Sequence, residues 1–218
     1  MALPVNEIFT TIQGEASFTG TPSTFVRLQG CDVGCGWCDT KHTWETLDKD
    51  IIPVKNMLVK TCDSSNWASM TELELTKEIM SKQPRHVVIT GGEPCEHDLL
   101  KLTTMLIHLG QTVQIETSGT KLIQANTNTF ITLSPKWDMA GGLKVLEKNY
   151  ELANEIKVPI GKQRDVDKIF KNIPIYKLPI VWLQPLSQSK KSTELCIKTA
   201  TKNNFKISIQ THKFIGVR

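Results

Sequence analysis

Five short apolar runs in this sequence stop abruptly at polar or glycine-bearing clusters. Phe25-Val26-Arg27-Leu28-Gln29 runs into Gly30 and Cys31, and His86-Val87-Val88-Ile89-Thr90 into Gly91-Gly92-Glu93-Pro94. Val113-Gln114-Ile115-Glu116 runs into Thr117-Ser118-Gly119, Phe130-Ile131-Thr132-Leu133 into Ser134-Pro135-Lys136, and Ile180-Val181-Trp182-Leu183 into Gln184-Pro185. Stretches with helical character separate or follow them, over 71–83, 97–109, 145–156, 163–172 and 190–203, and Lys206 to Gln210 reads as a last strand. In the first helix Thr71 and Glu74 have capping-box spacing, with Leu73, Leu75, Ile79 and Met80 as the apolar face. Alternating strands and helices imply a parallel sheet covered by helices. In such sheets chemistry gathers at the carboxyl ends of the strands. A complete eightfold barrel takes about 250 residues. With 218 residues and about six good strands, the expectation is an α/β fold, an incomplete TIM-like β/α barrel forming one domain over 1–218.

Composition narrows the function classes. Hydrophobic residues make up 39% and charged residues 22%, as in ordinary globular proteins, and the formal net charge is +4. Lys and Arg are dispersed, with no basic stripe interleaved with aromatics, so a nucleic-acid partner is not expected. No apolar run reaches the roughly 18 residues of a membrane span, and the first residues lack a signal-peptide pattern. A cytoplasmic location follows as the expectation. There, six cysteines are not read as a disulfide framework. Cys62, Cys95 and Cys196 are scattered and read as buried or incidental thiols.

The other three are clustered. Cys31-Asp32-Val33-Gly34-Cys35-Gly36-Trp37-Cys38 has the spacing C-x3-C-x2-C. Cubane iron–sulfur clusters usually take four thiolates. Three on one glycine-bearing loop would leave one iron open to a small chelating molecule. The competing reading is a Cys3His zinc site completed by His42, or a non-catalytic metal-binding module.

The cysteine spacing, the preceding strand, Trp37 and the Gly91-Gly92-Glu93-Pro94 turn together resemble the radical S-adenosylmethionine (SAM) superfamily. The resemblance implies a [4Fe–4S] cluster on Cys31, Cys35 and Cys38, with SAM on the open iron. It also implies a flavodoxin or ferredoxin as electron donor. A glycyl-radical activase shares the cysteine spacing and is the alternative within the superfamily. The closer resemblance is to the 7-carboxy-7-deazaguanine synthase family of queuosine (7-deazapurine) biosynthesis. It rests on Asn6-Glu7-Ile8-Phe9, Ile12-Gln13-Gly14-Glu15, Phe25 to Cys31, Trp37-Cys38-Asp39-Thr40, Ile89 to Pro94, Glu116 to Thr120, Ser134-Pro135-Lys136, Leu183-Gln184-Pro185 and Gln210-Thr211-His212-Lys213. Thr43-Trp44-Glu45, in a segment 41–70 that reads as a family-specific insertion, looks like the enterobacterial type.

What that resemblance implies is specific. The enzyme would be a carbon–nitrogen lyase and commonly a homodimer. It would convert 6-carboxy-5,6,7,8-tetrahydropterin to 7-carboxy-7-deazaguanine with loss of ammonia, assisted by Mg²⁺. SAM would meet Trp37, Cys38 and Asp39, then Gly92 and Glu93, Ser134-Pro135-Lys136, and Gln184-Pro185-Leu186-Ser187. The pterin would meet Ile12, Gln13, Gly14, Glu15, Arg27, Thr90 and His212. Thr40 would be the protein ligand for Mg²⁺. Arg27 suits a carboxylate because its guanidinium is permanently charged and forked. A lone threonine hydroxyl leaves substrate and water to supply most of a Mg²⁺ shell. Read without the resemblance, Gln13-Gly14 and Ser134-Pro135-Lys136 are ordinary turns or terminators, and Thr40 is a candidate cap.

Overall fold

The computed structural model describes residues 2–174 and 180–217. Nine strands form one sheet: β1 Ala2–Ile12, β2 Pro22–Leu28, β3 Ala68–Thr71, β4 His86–Gly91, β5 Thr112–Thr117, β6 Phe130–Leu133, β7 Glu155–Ile160, β8 Ile180–Pro185 and β9 Lys206–Ile207, in the order β3-β1-β2-β4-β5-β6-β7-β8-β9. From β2 and β4 through β9 every pairing is parallel, whereas β1 lies antiparallel to both β2 and β3. The order is linear, and no pairing joins β3 to β9 among the described residues. The sheet is an open, incomplete barrel, with more strands than the six expected.

Helices α1 Val54–Met57, α2 Glu72–Met80, α3 Leu100–His108, α4 Glu147–Leu152, α5 Gln163–Asn172, α6 Lys190–Asn203 and α7 Thr211–Ile215 connect or follow the strands. The capping box starts α2 as expected, with Thr71 accepting from Glu74 N–H and the Glu74 carboxylate accepting from Thr71 N–H. Its buried apolar side chains are Leu75 and Ile79, while Leu73 and Met80 are exposed. The expected helix over 145–156 is only α4. Glu155-Ile156-Lys157-Val158-Pro159-Ile160 is instead a strand, and its period-2 alternation is the pattern a half-polar strand shows. The strand expected to reach Gln210 stops at Ile207: the Ser208 N–H makes the last ladder bond, to the Leu183 carbonyl at 3.0 Å, and Thr211 opens α7.

Alternation divides the sheet into two faces. Val26, Leu28, Val87, Ile89, Val113 and Ile115 point outward into one apolar core with Leu75, Ile79, Leu102 and Leu106 of α2 and α3. Ile156, Val158, Ile160, Val181 and Leu183 do the same with Val166 and Ile169 of α5 and Cys196 and Ala200 of α6. Their neighbours in sequence, Phe25, Arg27, Thr90, Glu116, Lys157, Pro159 and Gln184, line a cavity on the opposite, concave face. The hairpin loop between β1 and β2 enters that face from the amino ends of the parallel strands. Phe18 stacks on His86 at 4.2 Å and meets Phe130 edge-on at 4.8 Å, closing the bottom. Burial pushes His86 down to about 4, so the ring is neutral there, and it shares a 2.7 Å hydrogen bond with Ser23.

Candidate active site

The cysteine loop leaves β2 and is clamped from both sides. Gly30 N–H donates to the Thr43 carbonyl at 2.8 Å and Cys31 N–H to the Trp44 carbonyl at 3.0 Å. Buried Gln29 donates to the carbonyls of His42 and Glu45 and accepts from Asn6 at 2.7 Å. Asn6 and Lys60 carry the same network to the carbonyls of Ser64 and Asn66. The segment 41–70 is therefore packed against the loop rather than appended to it. Opposite, Glu93 N–H donates to the Gly30 carbonyl at 2.8 Å, and a Cβ on Gly92 would collide with that carbonyl. Lys121 holds Asp32 at 2.8 Å and lies 3.6 Å from Glu96, whose other contact is the Asp32 N–H.

Cys31, Cys35 and Cys38 are free thiols and all three line one cavity of about 410 Å³. Burial pushes the Cys31 thiol up to about 12 and also raises Cys35, so loading metal here must displace protons. Three soft donors on one loop fit an iron–sulfur cluster. The zinc alternative lacks its fourth ligand. His42 is absent from the cavity wall and has Asp63, Arg27, Glu7 and Lys60 as charged neighbours.

All but one of the residues expected to face SAM line the same cavity. Trp37, Asp39, Gly92, Glu93, Ser134, Lys136, Gln184, Pro185, Leu186 and Ser187 line the cavity, and Pro135 does not. Lys136 Nζ donates to the Ser134 carbonyl at 2.8 Å and its hydroxyl at 2.6 Å, and lies 5.3 Å from the Trp37 ring centre. Burial lowers its pKa. The Glu93 carboxylate is already occupied, accepting from Cys95 N–H at 3.0 Å, the Thr117 hydroxyl at 2.6 Å and Ser118 N–H at 2.8 Å. It braces the ends of β4 and β5. The Thr40 hydroxyl caps nothing; it lies 3.5 Å from Cys38 Sγ.

The opposite wall carries charge. Lys157, from β7, bridges the carboxylates of Glu15 and of Glu116, the latter at 2.9 Å. Gln184 and Gln210 donate to the far Glu15 oxygen at 3.2 and 2.8 Å. Burial alone would raise Glu15, but the Lys157 charge and the hydrogen bonds from Lys157 and Gln210 bring it down to about 2. Burial would likewise lower Lys157, but Glu116 and Glu15 hold it well above the usual lysine value. Arg27 sits across the cavity, its Nε–H donated to Glu7 at 2.6 Å and its guanidinium 5.7 Å from Phe9, which stacks on Phe25. Ile12, Gly14 and Thr90 complete this wall.

Gln13 is placed at the cavity but is largely committed to the protein. Its side-chain NH2 donates to Gln114 at 3.3 Å and Glu116 at 3.0 Å, its side-chain oxygen accepts from Glu15 N–H, and its backbone pairs with Gly20 and Thr21. The Gly14 carbonyl accepts from Thr211, and a Cβ on Gly14 would collide with the His212 ring, which is why this position has no side chain. Burial lowers the His212 pKa.

Every expected site residue but Pro135 thus lines one cavity. Sequence reasoning missed Lys157, Glu116, Gln210, Trp44 and Phe9, which also line it. The signal for Lys157 existed: it is the central polar member of an alternating strand. Gln210 stood in the Gln210-Thr211-His212-Lys213 segment that carries the resemblance, but nothing local pointed to its hydrogen bond with Glu15, 195 positions away.

Known proteins resemble the chain over most or all of its length. Residues 18–162 match the model of a 4Fe-4S single cluster domain. The chain is 47% identical to the 7-carboxy-7-deazaguanine synthase of Escherichia coli (strain K12) over the whole of both chains. It is 44% identical to that of Buchnera aphidicola subsp. Schizaphis graminum, again end to end. The crystal structure of QueE from Escherichia coli superposes with a TM-score of 0.93, covering 96% of this chain and 94% of that one at 46% identity. With a cysteine loop, a strand-end cavity and relatives of this likeness over its full length, the chain belongs to the 7-carboxy-7-deazaguanine synthase family of radical SAM enzymes.

Proposed function

We propose that the protein is a carbon–nitrogen lyase converting 6-carboxy-5,6,7,8-tetrahydropterin to 7-carboxy-7-deazaguanine with loss of ammonia. The observation that carries this reading is one cavity that brings together two unlike groups. Three cysteine thiols line it, and so do a Lys157–Glu15–Glu116 charge cluster, Arg27 and Thr90.

Cys31, Cys35 and Cys38 would hold a [4Fe–4S] cluster. Trp37, Cys38, Asp39, Gly92, Ser134, Pro135, Lys136 and the 184–187 turn would hold SAM. Bound together, the cluster and SAM would supply the reductive radical chemistry that acts at pterin C6. The chain's part is binding, orientation and exclusion of water. Arg27 pairs the substrate carboxylate. Glu15 and Glu116 are acceptors fixed by Lys157, suited to the amino and ring N–H groups of a pterin. Gln13, Ile12, Gly14 and His212 shape that end of the cavity. Glu93 supports the SAM side by fixing the β4 and β5 ends. Thr40 offers one oxygen to Mg²⁺, with substrate and water supplying the rest.

The chain works as a single domain, with 41–70 as a family-specific insertion that secures the cysteine loop. A flavodoxin or ferredoxin supplies electrons, the functional unit is a homodimer, and the location is cytoplasmic. No helix is long and apolar enough to cross a membrane among the described residues. The test is anaerobic incubation of the iron-reconstituted protein with SAM, reductant, Mg²⁺ and the carboxytetrahydropterin. Ammonia and 7-carboxy-7-deazaguanine are expected in equal amounts. Cluster formation and SAM cleavage with neither product would overturn the substrate assignment.

A further inference from the structure

Beneath Lys157 on the concave face lies a third acidic side chain, Glu155, the first residue of β7 and 0% exposed. No ion pair is formed with it among the described residues. It is held by donors instead. One oxygen accepts from the Ser17 N–H at 3.2 Å, the Ser17 hydroxyl at 2.5 Å and the Trp182 indole N–H at 2.9 Å; the other accepts from the Thr132 hydroxyl at 2.7 Å. The contacts continue upward. Thr132 accepts from Gln114 Nε2 at 2.7 Å, Gln114 Oε1 accepts from Gln13 Nε2 at 3.3 Å, and Gln13 Nε2 also donates to Glu116 at 3.0 Å.

We propose that Glu155 is a positioning residue for the pterin wall, setting through Thr132 and Gln114 the direction in which the Gln13 amide faces. This rests on the pterin reading of the cavity above. A carboxylate can only accept, so Thr132 must donate downward and accept from above. That turns the Gln114 amine toward Thr132 and its carbonyl toward Gln13. Gln13 must then present its amine to Gln114, the same direction that Glu116 demands from the other side. Two carboxylates at the ends of the relay thus agree on one orientation for the two amides between them. The Gln13 oxygen is left facing the Glu15 N–H, at 3.1 Å, and so helps place Glu15.

Glu155→Gln breaks this agreement in a defined way. The Trp182 and Ser17 N–H groups are obligatory donors, so the new carbonyl must face them and the new amine must face Thr132. Thr132 then donates to Gln114, whose amine is driven against the Gln13 amine that Glu116 still holds. Removing the Thr132 hydroxyl cuts the relay before the conflict reaches Gln13.

The experiment uses full-length, cluster-reconstituted protein with SAM but no reductant, so that pterin affinity is read by equilibrium dialysis without turnover. Glu155→Gln is expected to weaken pterin binding about tenfold, the loss of one buried hydrogen bond and its alignment. Iron content and SAM affinity stay at wild-type levels. Thr132→Val alone should cost about threefold, and Glu155→Gln with Thr132→Val should bind like Thr132→Val, so the second change partly rescues the first. In steady-state assays the Glu155→Gln effect should fall on KM, with kcat little changed. Trp182→Phe, which removes a donor from Glu155 without touching the relay, should bind pterin normally. Additive losses, or wild-type affinity in Thr132→Val, would overturn the relay. If Glu155→Gln does not fold, Thr132→Val and Trp182→Phe decide the matter alone. Wild-type protein that makes no deazaguanine sinks the pterin reading instead, whatever the variants do.

Discussion

The two faces of the same strands differ in how they are stabilised. On β5, Val113 and Ile115 turn outward into an apolar core while Gln114 and Glu116 turn inward to hydrogen bonds and an ion pair. On β7, Ile156, Val158 and Ile160 turn outward, and Glu155 and Lys157 turn inward. The convex face is held by area removed from water, which is additive and tolerant of shape-conserving change. The concave face is held by directional polar contacts, where each member depends on its partner being present. Changes inside should therefore alter binding and chemistry, and changes outside should alter stability alone.

The largest break is expected at the metal wall. Cys35→Ala should leave two thiols, insufficient to hold a cubane, and iron content, visible iron–sulfur absorbance and SAM cleavage should all be lost. Next comes Lys157→Met, which leaves Glu15 and Glu116 facing each other without their cation. Breaking a buried pair by removing one partner costs about 3–5 kcal/mol, and denaturant unfolding at neutral pH should show it together with loss of pterin binding. Leu102→Ala on the convex side, fully buried on the inner face of α3, should cost about 2–5 kcal/mol of stability by cavity formation. Pterin affinity should not move, and a matching loss of affinity would blur the contrast between faces. Arg27→Ala should spare the cluster and weaken pterin binding by about 1.5–3 kcal/mol, the worth of a hydrogen bond to a charged group. Loss of the cluster with binding intact would reverse that assignment.

The remaining contrast is a pH dependence. Glu15 is held near pH 2 in the folded protein, against an ordinary value of 4.5. Its folded value is depressed, so its contribution is complete above about 4.5 and is lost as pH falls toward about 2. Acid unfolding of Glu15→Gln should be flatter across that window than in the wild type.

Much of this was legible beforehand, for identifiable reasons. The cysteine loop, the Gly-Gly-Glu-Pro turn and the central strands are local patterns, and each is complete within about ten residues. β1 was not read because Pro4, Asn6, Glu7, Thr10 and Thr11 interrupt its apolar residues. Those polar residues face partners only the fold supplies: Asn6 meets Gln29, and Glu7 meets Arg27. The helix expected over 145–156 took in only Glu155 and Ile156 of β7, since Glu and Lys are also good helix formers and tertiary context overrides such preferences. Lys157 to Ile160 fell between the expected elements, and with Lys157 the cation between the two carboxylates. The roles given to Gln13 and Glu93 came from resemblance; their hydrogen-bond partners come from strands about 24 to 103 positions away, beyond any local pattern.

The join between Gly14 and Thr211 also governs whether the cavity exists. It links residues 197 positions apart, and Glu15 to Gln210 spans 195. Neither apolar core includes these residues, so both cores are complete without the join. The pocket, by contrast, is bordered by Gly14 and Glu15 from one end of the sequence and by Gln210 and His212 from the other. A change that parts Gly14 from Thr211 should therefore open the substrate cavity while leaving most of the fold's stability in place.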